Sequence, residues 1–186
     1  MPTVELHVLA GYSPDDKRRL GEALTDAVRL VVPAAPDLVT IMIHDMQPED
    51  YYRGRTQRTP AAARPDPCEI VRSFLTAMER RDLEAAQAML APGFLMQFPG
   101  TGPMTELRAL IDWAAPRYRS VTKTYEGFDA MQSPQDASIV YCRGTLSGSW
   151  PDGTAFDGIR FIDRFEVAGG QITKQDVWND IAEVRP

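Results

Sequence analysis

Two cysteines and two histidines are the entire supply of thiol and imidazole groups in this chain of 186 residues. Cys68 and Cys142 have no metal-ligand or redox spacing, and His7 and His44 lie near neither of them in sequence, which argues against a zinc centre. No metal and no cofactor is expected. Positive charge is also short: 20 Lys and Arg stand against 26 Asp and Glu, a net charge of −6. No segment forms the clustered basic footprint that phosphate binding needs, so nucleic acid is not expected as a partner. No apolar run approaches the ~18 residues of a membrane span. The start of the chain lacks a basic stretch followed by an apolar one. The expected setting is cytoplasmic, without a membrane partner. A glycine-rich phosphate loop is missing too, since AGGQ (168–171) reads as a hairpin turn. No Ser–His–acid order stands out.

What is present is organised in two halves. Pro2 opens an alternating run over 3–9, with Val4, Leu6 and Val8 on one face and Thr3, Glu5 and His7 on the other. That pattern predicts a half-buried strand. Ser13 is placed to cap a helix that Pro14 begins, and Leu20, Ala23, Leu24, Ala27, Val28 and Val31 give it one apolar stripe. Residues 38–46 form a second strand. Strand, helix and strand make one βαβ unit over 1–53 with parallel strands. A two-stranded sheet with one helix cannot bury both faces, so the unit needs a partner. Residues 54–67 carry Pro60, Pro65 and Pro67 and almost no large apolar residue; they read as a linker. Residues 68–186 then show helical spacing over 68–89 with a break near Arg81–Asp82, a short strand at 94–98 and a helix at 105–115. Strand candidates follow at 119–130, 137–149, 154–167 and 171–181. Helices first and an antiparallel meander after them predict an α+β fold whose curved sheet encloses a pocket.

Pro2 before a strand, the turn LAGYSPDDKRRL into a helix, and the strand IMIHDM with a Pro-containing loop after it resemble the 4-oxalocrotonate tautomerase family. The likeness covers the first 55 residues. It implies that Pro2, freed by removal of Met1, is the general base or nucleophile, and that copies assemble into dimers or hexamers. Tyr12 and Thr40 occupy the places where the family's best-known members hold carboxylates with arginines, which points to a less anionic substrate. Tyr51 or Tyr52 keeps the aromatic position, Arg53 is placed to supply a displaced cation, and His44 is a candidate for the Pro2 pocket.

The stretches VRSFLTAMERRDLEAAQAMLAPGF and GTLSGSWPDGTAFDGIRFIDRFEVAGGQITKQDVWND resemble the nuclear transport factor 2-like superfamily. These are cone-shaped α+β barrels that include ketosteroid isomerases, polyketide cyclases and limonene epoxide hydrolases. The resemblance spans 68–186 and implies a hydrophobic pocket for a small molecule. Strand alternation puts Phe161, Asp163 and Phe165 on one face, and Ile172, Lys174, Asp176, Trp178 and Asp180 on one face of the last strand. An acid among aromatics is a candidate acid or base, so Asp163 and Asp176 are the expected pair, with Tyr118, Tyr141 and Trp178 lining. The competing expectation is structural: Asp163 in an ion pair with Arg160 or Arg164, and Asp176 in a surface contact.

The expected activity is therefore that of a tautomerase or isomerase acting on a small carbonyl (keto–enol) compound, with Pro2 as base, in a homo-oligomer. The alternatives are cyclase or isomerase chemistry in the second pocket, and a non-catalytic small-molecule-binding or oligomerisation protein.

Overall fold

Ser13 starts the first helix as its position predicts. The Asp16 N–H donates to the Ser13 hydroxyl at 3.1 Å and the Ser13 N–H donates to the Asp16 carboxylate at 3.1 Å, a reciprocal cap that satisfies two orphan donors. The computed structural model describes residues 1–184 and divides in sequence, between Ala63 and Arg64, into two compact units. In the first unit β1 (Thr3–Leu9) pairs in parallel with β2 (Thr40–Met46), joined through helix α1 (Pro14–Arg29). A short hairpin, β3 (Tyr52–Arg53) and β4 (Thr56–Gln57), occupies part of the segment expected to be linker. Gly54 makes its turn with φ +65°, a conformation that glycine adopts without steric cost.

No residue between 1 and 63 is buried. Glu5, His7, Met42 and His44 lie exposed on the strands; the two imidazoles stack at 4.9 Å, and Glu5 Oε1 lies 3.0 Å from His44 Nε2. A unit with no buried side chain has little hydrophobic driving force of its own.

The second unit holds the core. Helix α2 (Pro67–Glu79) is capped by Asp66 and buries Val71, Phe74, Leu75 and Ala77. Helix α3 (Leu83–Ala88) is capped by Asp82. After β5 (Leu90–Gln97) and α4 (Leu107–Ala114) come β6 (Ser120–Gln132), β7 (Ser138–Ser149), β8 (Ala155–Ala168) and β9 (Gln171–Asn179), then the single turn α5 (Ile181–Val184). The strands run β5-β9-β8-β7-β6 in one sheet. Two details differ from a closed antiparallel barrel. The sheet is mixed, because β5 pairs in parallel with β9, and it is open, because β5 and β6 remain its edges.

Glycine brings β7 unusually close to β6. A Cβ on Gly144 would stand 1.9 Å from the Thr124 carbonyl oxygen, and one on Gly148 would stand 2.0 Å from that of Ser120. Extra residues interrupt the ladders on β6, β8 and β9, and bulges of this kind bend a strand. The curvature leaves room between the sheet's inner face and the helices. No helix among the described residues is long and apolar enough to cross a membrane.

Candidate functional site

Three strands each send one polar side chain to the inner face of the sheet. On β8 the alternation that buries Phe161 and Phe165 also buries Asp163, which is 0 % exposed. On β6 the series Val121, Lys123, Tyr125 turns inward, and Gln175 does so from β9. Lys123 Nζ donates to Asp163 Oδ2, and Gln175 Nε2 lies 3.5 Å from the same oxygen. Lys123 also sits 4.3 Å from the Phe161 ring centre, a contact that adds cation–π attraction. A lone buried carboxylate is strongly disfavoured, so the ammonium is what makes Asp163 tolerable at this depth. Asp163 Oδ1 and Gln175 Oε1 are buried with no hydrogen-bond partner. Unpartnered buried acceptors of this kind are uncommon in folded proteins and call for an explanation.

Lys123 and Gln175 are the inner polar groups of a cavity of about 130 Å³ whose wall includes Phe74, Met78, Phe98, Leu110, Tyr118 and Tyr125, and Asp163 lies behind them, outside the lining. An apolar cavity of about 150 Å³ holds a benzene ring, so the space suits a compound of about one ring. Exposed Glu79 and Arg81 also line the cavity and mark its rim. Burial pushes the Tyr118 and Tyr125 phenols up from their ordinary value, which keeps both as O–H donors at neutral pH.

Arg81 holds its place through backbone geometry. The Arg81 N–H donates to the Met78 carbonyl at 3.1 Å and the Asp82 N–H to the Ala77 carbonyl at 2.9 Å, a helix ending that usually has glycine where Arg81 stands. Arg81 has φ +60°, at a cost of about 1–2 kcal/mol for a residue with a Cβ.

Cys142 faces Asp163 across the β7–β8 ladder. Burial, followed by the neighbouring Asp163 charge, pushes its thiol up to about 12. An unfolded thiol ionises near 8.5, so the folded state binds the extra proton between these values. Its contribution to stability is complete below about 8.5 and is lost as pH rises toward 12. In a thiol assay at pH 8 Cys142 should stay silent until denaturant is added, and rapid labelling of Cys142 in the folded protein would contradict its burial.

The structure sorts the sequence-predicted residues. Tyr118 lines the cavity, and Asp163 reaches it only through its contact with Lys123. Asp176 and Trp178 do not: Thr173 is an extra residue in the β9 ladder, where Val167 pairs with Ile172 but Glu166 with Lys174. The alternation slips there by one, so Gln175 and Val177 turn inward in place of Asp176 and Trp178. Asp176 meets Lys174 at 2.9 Å and Arg164 at 3.4 Å. Tyr141 is exposed opposite Arg164. Asp163 pairs with Lys123 rather than with Arg160, which bonds Asp180, or Arg164, which bonds Glu166.

In the first unit the Thr40 N–H donates to the Pro2 carbonyl at 3.0 Å, so Thr40 does lie beside half-buried Pro2. Tyr12 follows the far end of β1. His44 is four residues beyond Thr40, about 13 Å along the strand, and is engaged with His7 and Glu5, so within one copy it does not join Pro2. Tyr52 and Arg53 are exposed on the hairpin, and Tyr51 precedes it half-buried.

Lys123 and Gln175 escaped the sequence reading. A lone lysine between Val121 and Tyr125 on an apolar strand face was the available signal for Lys123; the bulge hid Gln175.

A family model described as SnoaL-like domain matches residues 71–175, and one described as Tautomerase enzyme matches residues 2–57. Among solved structures, the chain is similar to an NTF2-like protein of unknown function from Burkholderia pseudomallei K96243. The two are 20% identical over 62% of this chain and 91% of that one, with a TM-score of 0.53. It is also similar to an NTF2-like protein from Burkholderia thailandensis E264, at 21% identity over 64% of this chain and 94% of that one, TM-score 0.51. A third similar structure is TerC co-crystallised with polyporic acid, at 14% identity over 62% and 92% of the two chains, TM-score 0.51. No curated protein matches the chain.

Proposed function

We propose that this chain, which belongs to the SnoaL-like domain family and carries an N-terminal tautomerase unit, is an isomerase- or cyclase-type enzyme that moves protons beside the carbonyl of a small, largely apolar compound. The observation that carries the reading is the Lys123 ammonium on the wall of a one-ring cavity, paired with the fully buried Asp163 behind it. The Lys123 ammonium lines the cavity and is the group that meets the substrate oxygen. Negative charge that develops there as a ketone becomes an enolate is stabilised by a fixed donor in a water-poor site, where such donors act most strongly. Asp163 holds the ammonium in place from behind the cavity wall and is the acceptor to which Lys123 can pass a proton. The Tyr125 phenol stands as a second donor.

A second reading puts a tautomerase site at Pro2. Its support is the family match over residues 2–57 and the half-buried Pro2 at the start of a β1–β2 ladder. Removal of Met1 frees a secondary amine that ionises near 8, and the missing walls of the site come from another copy. The homo-oligomer this requires, a dimer or a hexamer, is supported by the absence of any buried side chain in the first 63 residues. Two cysteines that remain thiols fit the cytoplasmic setting.

A phenol that mimics an enolate tests the cavity reading. Bound 4-nitrophenol is expected to shift toward its phenolate spectrum at a pH where the free dye is mainly neutral, and Lys123→Met should abolish the shift. A dye that binds yet stays neutral, or that fails to bind at all, would count against the cavity as an oxyanion site.

A further inference from the structure

Lys123 is held by Asp163 and meets the carbonyl oxygen, so a carboxylate on the same ligand needs a second cation. The rim offers one. Arg81 lines the cavity yet enters none of the ion pairs of the second unit among the described residues. It does not stand alone in its corner. The positive charges of Arg81 and Arg117 both act on the Tyr118 phenol, lowering it against the effect of burial. The Arg117 guanidinium lies 4.0 Å from the Trp113 ring centre and donates to the Trp113 carbonyl at 2.8 Å, which fixes it beside this corner. The one acid of the rim, Glu79, acts on Tyr125 instead. The mouth of the cavity thus has a cationic side at Tyr118.

The backbone adds a second observation. Arg81 occupies a left-handed position at a helix end where glycine is the usual residue. Unfavourable backbone conformations that persist at a ligand-facing position point toward a functional constraint.

We infer that the substrate is a small aromatic or enolic acid whose carboxylate is held at the rim by Arg81. Its ring lies among Phe74, Phe98 and Tyr118, and its carbonyl is directed inward to Lys123. This assignment rests on the cavity reading above and names the class of compound it takes. Arg81 acts here as a specificity residue: it selects the acid over its neutral isostere and orients the carbonyl toward the floor. The guanidinium suits the task because its donors match a carboxylate in pairs.

Benzoate and benzamide are matched probes, alike in ring and size but differing in charge. In calorimetric titrations of the full chain, benzoate is expected to bind about tenfold more tightly than benzamide, the size of one charge-assisted hydrogen bond. Arg81→Gly should erase the preference by weakening benzoate far more than benzamide. Glycine accepts φ +60° without strain, so this variant should melt no lower than the wild type, which separates loss of charge from loss of fold. Arg81→Lys should keep part of the preference. Equal binding of the two probes by the wild type, or a benzoate preference that survives Arg81→Gly, would overturn the assignment and leave the cavity reading intact. Failure of both probes to bind a protein that melts normally would overturn both.

Discussion

Lys123→Met is expected to destabilise the second unit by about 3–5 kcal/mol, because it leaves a buried carboxylate with no opposite charge. Asp163 has no exposed surface and the Lys123 side chain is only 22% exposed, so solvent is a poor substitute for the missing ammonium. Gln175 Nε2, 3.5 Å away, is too distant and too weakly polar to compensate. Urea unfolding followed by circular dichroism would measure the loss. The double variant Lys123→Met, Asp163→Leu should recover most of it, since replacing both partners of a buried ion pair by apolar groups is often neutral or better. It should not recover turnover. That separation matters: a purely structural ion pair would let the double variant regain stability and activity together.

Asp163→Asn is expected to lower kcat by about 10²–10³-fold on a small enol such as phenylenolpyruvate, the range for losing a positioned proton acceptor or oxyanion donor. Asparagine keeps the shape of the side chain but can neither neutralise Lys123 nor accept a proton at neutral pH. The ammonium then lacks the partner that aims it at the cavity. Ring-sized ligands should still bind, because the aromatic wall is untouched, so KM should move much less than kcat. A fall in affinity with unchanged kcat would instead mean that the pair only shapes the cavity.

Much of this was legible in the residues. The apolar alternation of β8 marked Asp163 as a buried acid among phenylalanines, and the Ser13–Pro14–Asp16 sequence marked the start of α1. The tautomerase and SnoaL-like matches agree with the two resemblances read from Pro2 and from the meander. What stayed hidden depended on contacts distant in sequence. Lys123 meets Asp163 from 40 residues away, and nothing local distinguishes it from a strand lysine that reaches solvent. Asp176 and Trp178 were assigned inward by strict alternation, which the extra residue Thr173 breaks. His44 fell near Pro2 only while the register of β1 and β2 was unknown; the Thr3–Thr40 pairing sets it opposite His7. Arg81 showed only as a helix break, and its place at the cavity rim came from the left-handed turn.

On the proposed reading, the carbonyl chemistry takes place in the cavity of the second unit, at Lys123 with Asp163 behind it. The most direct test is kcat/KM for ketonisation of phenylenolpyruvate, measured on the wild type, Asp163→Asn and Pro2→Ala, after mass spectrometry of the N-terminus. A loss of about 10²-fold or more is expected for Asp163→Asn, with a Pro2→Ala rate close to that of the wild type. A wild-type rate for Asp163→Asn together with a collapse for Pro2→Ala would contradict that reading and move the reaction to the amino terminus.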